Sequence, residues 1–424
     1  MKKILFLLLI CLFIFPCLYA AENNDDEENA TEEESEDEGK KKKRKPFGIH
    51  DRKVEIGLVK ADVHLANNFL STTQLLQETI VLDIDDLSKG FRINFGALID
   101  LPYFKYTNKK GWGFGIYTEA EAIGLVDLAG EMLTFKAAKN AQSSVGGAAF
   151  AAVSAEAFFP IEKFKIKIKP SFYYTLLYTK PAINYTFDTA KGMIVAIDYD
   201  MSVYMPLPLS GDSKKLSAKP GFDISLGLSY PLAREIGLFD KIKLLDFDIG
   251  VDLLHIPIIP SSMTDYMRWS GKIGNDKPFI LGDEGSDIDS FFGSLTGGGI
   301  VSGNFQKKER ITRPFKTMFW ADWRPLGGIR LLTVHPSIGF AVNSMYVKSF
   351  SMEGGVSATL NLANLFIVTG GINYTDRMWV NSLDFILNFR VFQLDFGVNL
   401  RSQSFAKSWT GAGVGANVGL KFGW

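Results

Sequence analysis

Cysteine and histidine are scarce in this chain, and a long apolar run occurs only at its start. Of 424 residues two are Cys, Cys11 and Cys17, and both lie in the first twenty positions. The remainder therefore excludes disulfides, thiolate metal sites and cysteine nucleophiles. Four His occur (His50, His64, His255, His335), no two at a metal-binding spacing, so neither metal nor cofactor is expected. A hydrolase needs Ser or Asp beside His, and His255 and His335 have no evident local partner; the chain is not read as an enzyme. Beyond position 20 no apolar run reaches the roughly 20 residues of a spanning helix.

Apolar residues are nevertheless abundant, at 46% of the chain with 13% aromatic. A tilted membrane strand needs only about 9 to 11 residues, half of them apolar, so this composition suits one large transmembrane β-barrel. The first twenty residues read as a secretory signal peptide: Lys2 and Lys3, the apolar stretch Ile4 to Phe15, then Pro16 and Leu18-Tyr19-Ala20. Residues 21–46 form a separate tail, with eleven acidic residues between Glu22 and Glu38 followed by six basic ones from Lys40 to Lys45. Blocks of like charge repel and bury nothing, so the tail is expected to be a solvated periplasmic spacer; docking to a periplasmic partner, or folding back into the barrel, is the alternative. An exported chain does not meet nucleic acid, whatever its basic cluster resembles.

From Val54 onward apolar and polar residues alternate with period two, which places one set on each face of a strand. Phe392, Leu394, Phe396, Val398 and Leu400 oppose Gln393, Asp395, Asn399 and Arg401 in this way. The runs are longer than the usual strand of about 5 to 6 residues. The last of them ends on Leu420, Phe422 and Trp424, a pattern resembling the C-terminal signal by which outer-membrane barrels engage the barrel-assembly machinery. The expectation is an all-β, single-chain antiparallel barrel over 47–424 of about 16 strands, with 14 as the alternative. Residues 164–178, 181–188, 193–205 and 220–230 each count as one strand. The connections 66–90, 124–144, 206–219 and 256–311 then face outward, and tight turns fall near Ala363 and Val391. The predicted location is the outer membrane, in contact with its lipid.

Two inserts look helical, near 71–89 and 125–140. Ser71 and Gln74 make a capping box, with Leu70 and Leu75 spaced as its hydrophobic staple. Leu128, Met132 and Phe135 share a helical face. Such helices must bury their apolar stripe in the lumen or in a cap. Lys165, Lys167 and Lys169 form a basic ladder and Asp246, Asp248 and Asp252 an acidic one, both expected to line the lumen. They either set a transverse field or pair with one another and hold the interior together.

Asn67-Asn68 before a short helix, the stretch Ile84-Asp85-Asp86-Leu87 to Phe91-Arg92-Ile93-Asn94-Phe95, and the terminal strand together resemble outer-membrane barrels of spirochaetes and Bacteroidetes. Those are distantly similar to TraF-like barrels and long-chain fatty-acid transporters. The resemblance implies about fourteen strands and an N-terminal segment in the lumen. The function expected is a channel or transporter for small or hydrophobic solutes, gated by a lumenal helix or loop. The alternative is a structural or adhesive barrel displaying long outer loops.

Overall fold

A strand with one apolar and one polar face separates lipid from water only if its edges are paired as well. The computed structural model of the protein describes residues 52–68, 88, 90–108, 111–134, 138–188, 194–206, 218–232, 246–274, 296–297, 301–325, 331–343, 349–389, 391–410 and 413–424. Its strands form one antiparallel sheet that closes on itself. The seam lies between β1 (Val54–Asn67) and β20 (Gly413–Gly423), paired from Glu55↔Gly423 to Ala66↔Gly413. Lys53 and Val54 donate their N–H groups to the Trp424 carbonyl at 2.8 and 3.0 Å, which ties the start of β1 and the end of β20 together at one rim, here the near rim. Arg52 Nη2 locks that corner, donating to Asn388 Oδ1 at 2.7 Å and to the Phe389 carbonyl at 2.8 Å.

Several segments are pieces of one longer strand. β2 (Phe91–Asp100) and β3 (Tyr103–Thr107) are interrupted at Leu101-Pro102, and both pair with β1 on one side and β4 (Gly113–Leu128) on the other. β5 (Ala138–Ile161) and β6 (Phe164–Asp188) follow, with 24 and 25 residues. β7 (Ile194–Tyr204) pairs with the far half of β6 and β9 (Gly221–Tyr230) with its near half. With β8 (Ala218–Lys219) they occupy one position in the wall. The next position is β10 (Asp246–Ile259), continued across Pro260 by β11 (Ser261–Gly274). The one after joins β12 (Thr296–Gly297), β13 (Val301–Ile311) and β14 (Phe315–Arg324). β15 (Leu332–Val342), β16 (Phe350–Leu362), β17 (Phe366–Thr375), β18 (Met378–Asn388) and β19 (Phe392–Ser402) then lead in order to β20.

Counted by position, the wall has fourteen strands and not the expected sixteen. Residues 164–178 and 181–188 are one strand, because β6 passes through Pro181 with its pairing to Met201 intact. The strands expected at 193–205 and 220–230 share one wall position, since β7 and β9 both pair with β6, and most of the 206–219 connection between them lies outside the described residues. Much of the expected 256–311 connection is wall as well, since β11 and β13 pair along their length. Among the described residues the helical insert near 125–140 shrinks to α1 (Gly130–Leu133), a single turn between β4 and β5. The signal peptide, the charged tail and the helix expected at Ser71, Gln74 and Leu75 lie outside the described residues. The base of that connection is described: the Asn68 amide donates to Gly90 O at 2.8 Å and accepts from Arg92 N at 2.7 Å.

The tight turns fall where expected. Ala363 and Asn364 carry positive φ, and Asp376 and Arg377 both do so between paired Thr375 and Met378, a two-residue hairpin. Phe172, Ile338, Val398 and Val418 are at least half exposed on the outer face. Ser154, Ser171, Asp223 and Asn399 are buried on the inner one. That is the inverse of a soluble protein and suits a wall standing in hydrocarbon. No described helix is long and apolar enough to cross a membrane.

Candidate functional site

Three neighbouring wall strands are interrupted at one level, between β7 and β8, at Pro260, and at Thr312-Arg313-Pro314. A fourth interruption holds Pro102. Proline removes a ladder donor, but β6 and β15 run through Pro170, Pro181 and Pro336 unbroken. The first three interruptions fall instead where partners change. β10 pairs with β9 and β14, whereas β11 pairs with β7, β8 and β13.

At this level side chains from five wall positions meet inside the barrel. Tyr173 on β6 reaches across β9 and accepts a hydrogen bond from Ser261 N at 3.2 Å while donating to the Ile311 carbonyl at 3.0 Å. The crossing requires Gly221: a Cβ there would lie 2.3 Å from the Tyr173 ring and 2.6 Å from Ser261 N. Phe150, Tyr178, Tyr204, Met263, Tyr266 and Ile311 complete a buried apolar cluster around Tyr173. Tyr204 stacks on Tyr266 at 4.8 Å and lies 6.2 Å from Tyr178.

Beside this aromatic tier lies a charged one. Arg313 grips Asp223 through two parallel hydrogen bonds of 2.8 and 2.9 Å, with both side chains only 2% exposed. Its Nη1 is 3.4 Å from Glu119 on β4, and its guanidinium lies 5.5 Å from the Tyr173 ring centre. Glu119 also pairs with Lys169, which sits 4.9 Å over the Tyr117 ring. The β13–β14 break thus touches β4, β6 and β9, reaching across the lumen rather than along the wall. The bidentate geometry fixes the guanidinium on the carboxylate, and removing either partner would leave the other charge buried and unpaired.

The two ladders stand on β6 and β10 with β9 between them, the lysines on the same face of β6 as the buried Ser171. Lys167 Nζ lies 3.5 Å from Asp252 Oδ1, and Asp252 also accepts from Trp320 Nε1 at 2.8 Å. Asp246 and Asp248 are held by Arg324 instead, Asp246 at 3.0 Å. Lys169 joins the Glu119 network, and Lys165 stands exposed near the rim. Leu420 and Phe422 pair with both β1 and β19 in the seam, beside Trp424 at the near rim. His335 does have a local acidic partner, Asp322 Oδ1 at 2.7 Å, and stacks on Trp320. His255 Nδ1 lies 3.1 Å from the Pro314 carbonyl, as a structural support of the break. Arg313, Asp223, Glu119 and Tyr173 were not singled out from sequence. The one signal was Thr312-Arg313-Pro314, where alternation stops and a charge precedes proline.

No protein-family model and no curated protein matches the chain. Among solved structures it is similar to the toluene transporter TodX of Pseudomonas putida, at 7% identity over 89% of each chain with a TM-score of 0.44. A FadL homologue of Pseudomonas aeruginosa is 8% identical over 87% of this chain and 89% of its own, with a TM-score of 0.42. The translocator domain of the autotransporter NalP from Neisseria meningitidis is 7% identical over 88% and 90%, with a TM-score of 0.29. Likenesses of this size establish neither kinship nor cargo.

Proposed function

We propose that this chain is an outer-membrane channel for hydrophobic solutes, exported by its N-terminal signal and inserted through its terminal strand. The observation that carries the reading is the aromatic cluster on the inner face of the wall. Phe150, Tyr178, Tyr204 and Tyr266 turn inward there, where the interior of a water-filled porin is polar. A solute with an aromatic or aliphatic body can replace their mutual contacts at little cost. Gating by the connection after β1, whose base Asn68 clamps, is part of the proposal. The ladder carboxylates and amines then act mainly as interior braces.

The test is uptake into vesicles containing the refolded protein, with naphthalene and sucrose as probes. Faster naphthalene entry than in empty vesicles, weakened in Tyr204→Ala/Tyr266→Ala, is the expected result. Equal entry with and without protein would sink the reading. Deleting 69–87 should raise the rate if that connection gates the lumen. One observation favours display as a second role: β5 and β6 are more than twice as long as a bilayer requires, so their far halves project beyond it.

A further inference from the structure

The connection after β19 folds onto the outside of the barrel. Along β18, Met378 and Val380 pack inward with Ala66, so Trp379, Asn381 and the exposed Leu383 point outward. Leu383 is opposite Val398 on β19, Asn381 opposite Leu400 and Trp379 opposite Ser402, which places Ser402 on the outer face too. The single turn α2 (Phe405–Ser408) covers this spot. Asn381 Nδ2 donates to Ser408 Oγ at 2.9 Å, and Ser408 Oγ donates to the Phe405 carbonyl at 2.7 Å. Ser402 Oγ accepts from Ser404 N at 3.3 Å. Ser402 and Ser408 are wholly buried and Asn381 nearly so, although they belong to the outward face.

Polar groups facing water need no such cover; on a wall facing hydrocarbon they must be paired or hidden. The turn hides them and presents aromatic residues in their place. Tyr374 and Trp379 are 5.2 Å apart, Trp379 and Phe405 5.0 Å, and Phe405 and Trp409 6.1 Å, one unbroken chain of rings. Phe405 and Trp409 are about half exposed. The chain sits at the far rim and continues the apolar band of Leu383, Phe396 and Val398. We infer that residues 404–409 are a lipid-facing anchor, seated at the headgroup boundary of the distal leaflet with Phe405 and Trp409 in the upper acyl region. Aromatic side chains prefer that depth. The inference rests on the barrel spanning a membrane, and not on what passes through it.

The test uses refolded full-length protein in phosphatidylcholine vesicles brominated near the headgroup or near the chain end, with tryptophan fluorescence as readout. Folding of each variant is checked by heat-modifiable electrophoretic mobility. Trp409→Phe should lose part of the quenching by the shallow bromines and little by the deep ones, with iodide quenching unchanged. Phe405→Trp in the Trp409→Phe background should restore the shallow signal. Loss of iodide quenching without loss of bromolipid quenching would put Trp409 in water and overturn the anchor. So would Trp409→Phe changing neither, which would mean a protein surface covers the ring. Trp323, outward on β14, is the internal control. If no tryptophan is quenched by bromolipid, it is the membrane reading that fails.

Discussion

The barrel has two unlike halves. From β15 to β20 the wall strands run 10 to 13 residues without interruption, close to the 9 to 11 or so that a tilted strand needs to cross hydrocarbon. From β5 to β14 the wall positions are far longer, and three of them are interrupted at one level. The short half is simple sheet, every strand but the closing β20 paired on both sides by local hairpin partners. The long half must change partners partway up, and each change leaves backbone and charge that the ladder no longer satisfies. Tyr173 and Arg313 stand at those points: the phenol bonds Ser261 N and the Ile311 carbonyl, and the guanidinium bonds Asp223. Where strands are regular the sheet holds itself; where they break, side chains take over.

Substitutions can break that contrast, read as unfolding free energy in denaturant on lipid-refolded protein. Arg313→Ala should cost most, about 3–5 kcal/mol, because it leaves Asp223 buried and unpaired. Arg313→Lys should recover only part of this, since a lysine cannot make both bonds. Gly221→Ala should cost about 1–3 kcal/mol by forcing a methyl group into the Tyr173 ring. Tyr173→Phe keeps the packing and loses the phenol bonds, for about 0.5–1.5 kcal/mol. In the short half Thr359→Val removes a hydroxyl 2.9 Å from that of Thr369, and should cost about 0.2–1 kcal/mol. If Thr359→Val costs as much as Arg313→Ala, the contrast between the halves is wrong.

The two halves also differed in how far they could be read from sequence. Phe392 to Leu400 alternates cleanly, and in the short half the strands follow one another in the wall, with a turn at Ala363 as expected. In the long half the local pattern misled. Thr179-Lys180 looked like a gap between two strands, yet the pairing with β7 runs through it and past Pro181. The stretch after Tyr204 looked like a loop between two strands, although both sides of it occupy one place in the wall. Which proline interrupts a strand depends on what lies alongside, and that is tertiary information. The charged ladders were legible as period-two runs, but not their partners. Arg324 took Asp246 and Asp248, leaving Lys167 only Asp252. The aromatic cluster was hidden because Tyr173, Tyr204 and Tyr266 come from three wall positions far apart in sequence.

The seam has a kinetic consequence. Glu55 and Gly423 are partners separated by nearly the whole described chain, so their pairing carries the largest loop-closure entropy of any in the barrel. The hairpins between them can form first and cheaply, but until the seam shuts, β1 and β20 each present an unpaired edge. Such an edge in a membrane-destined chain is a template for joining another chain. Refolding at rising protein concentration should therefore divide between closed monomer and aggregate at this one step. Arg52, which fastens the corner to Asn388 and Phe389, would tip the division towards closure.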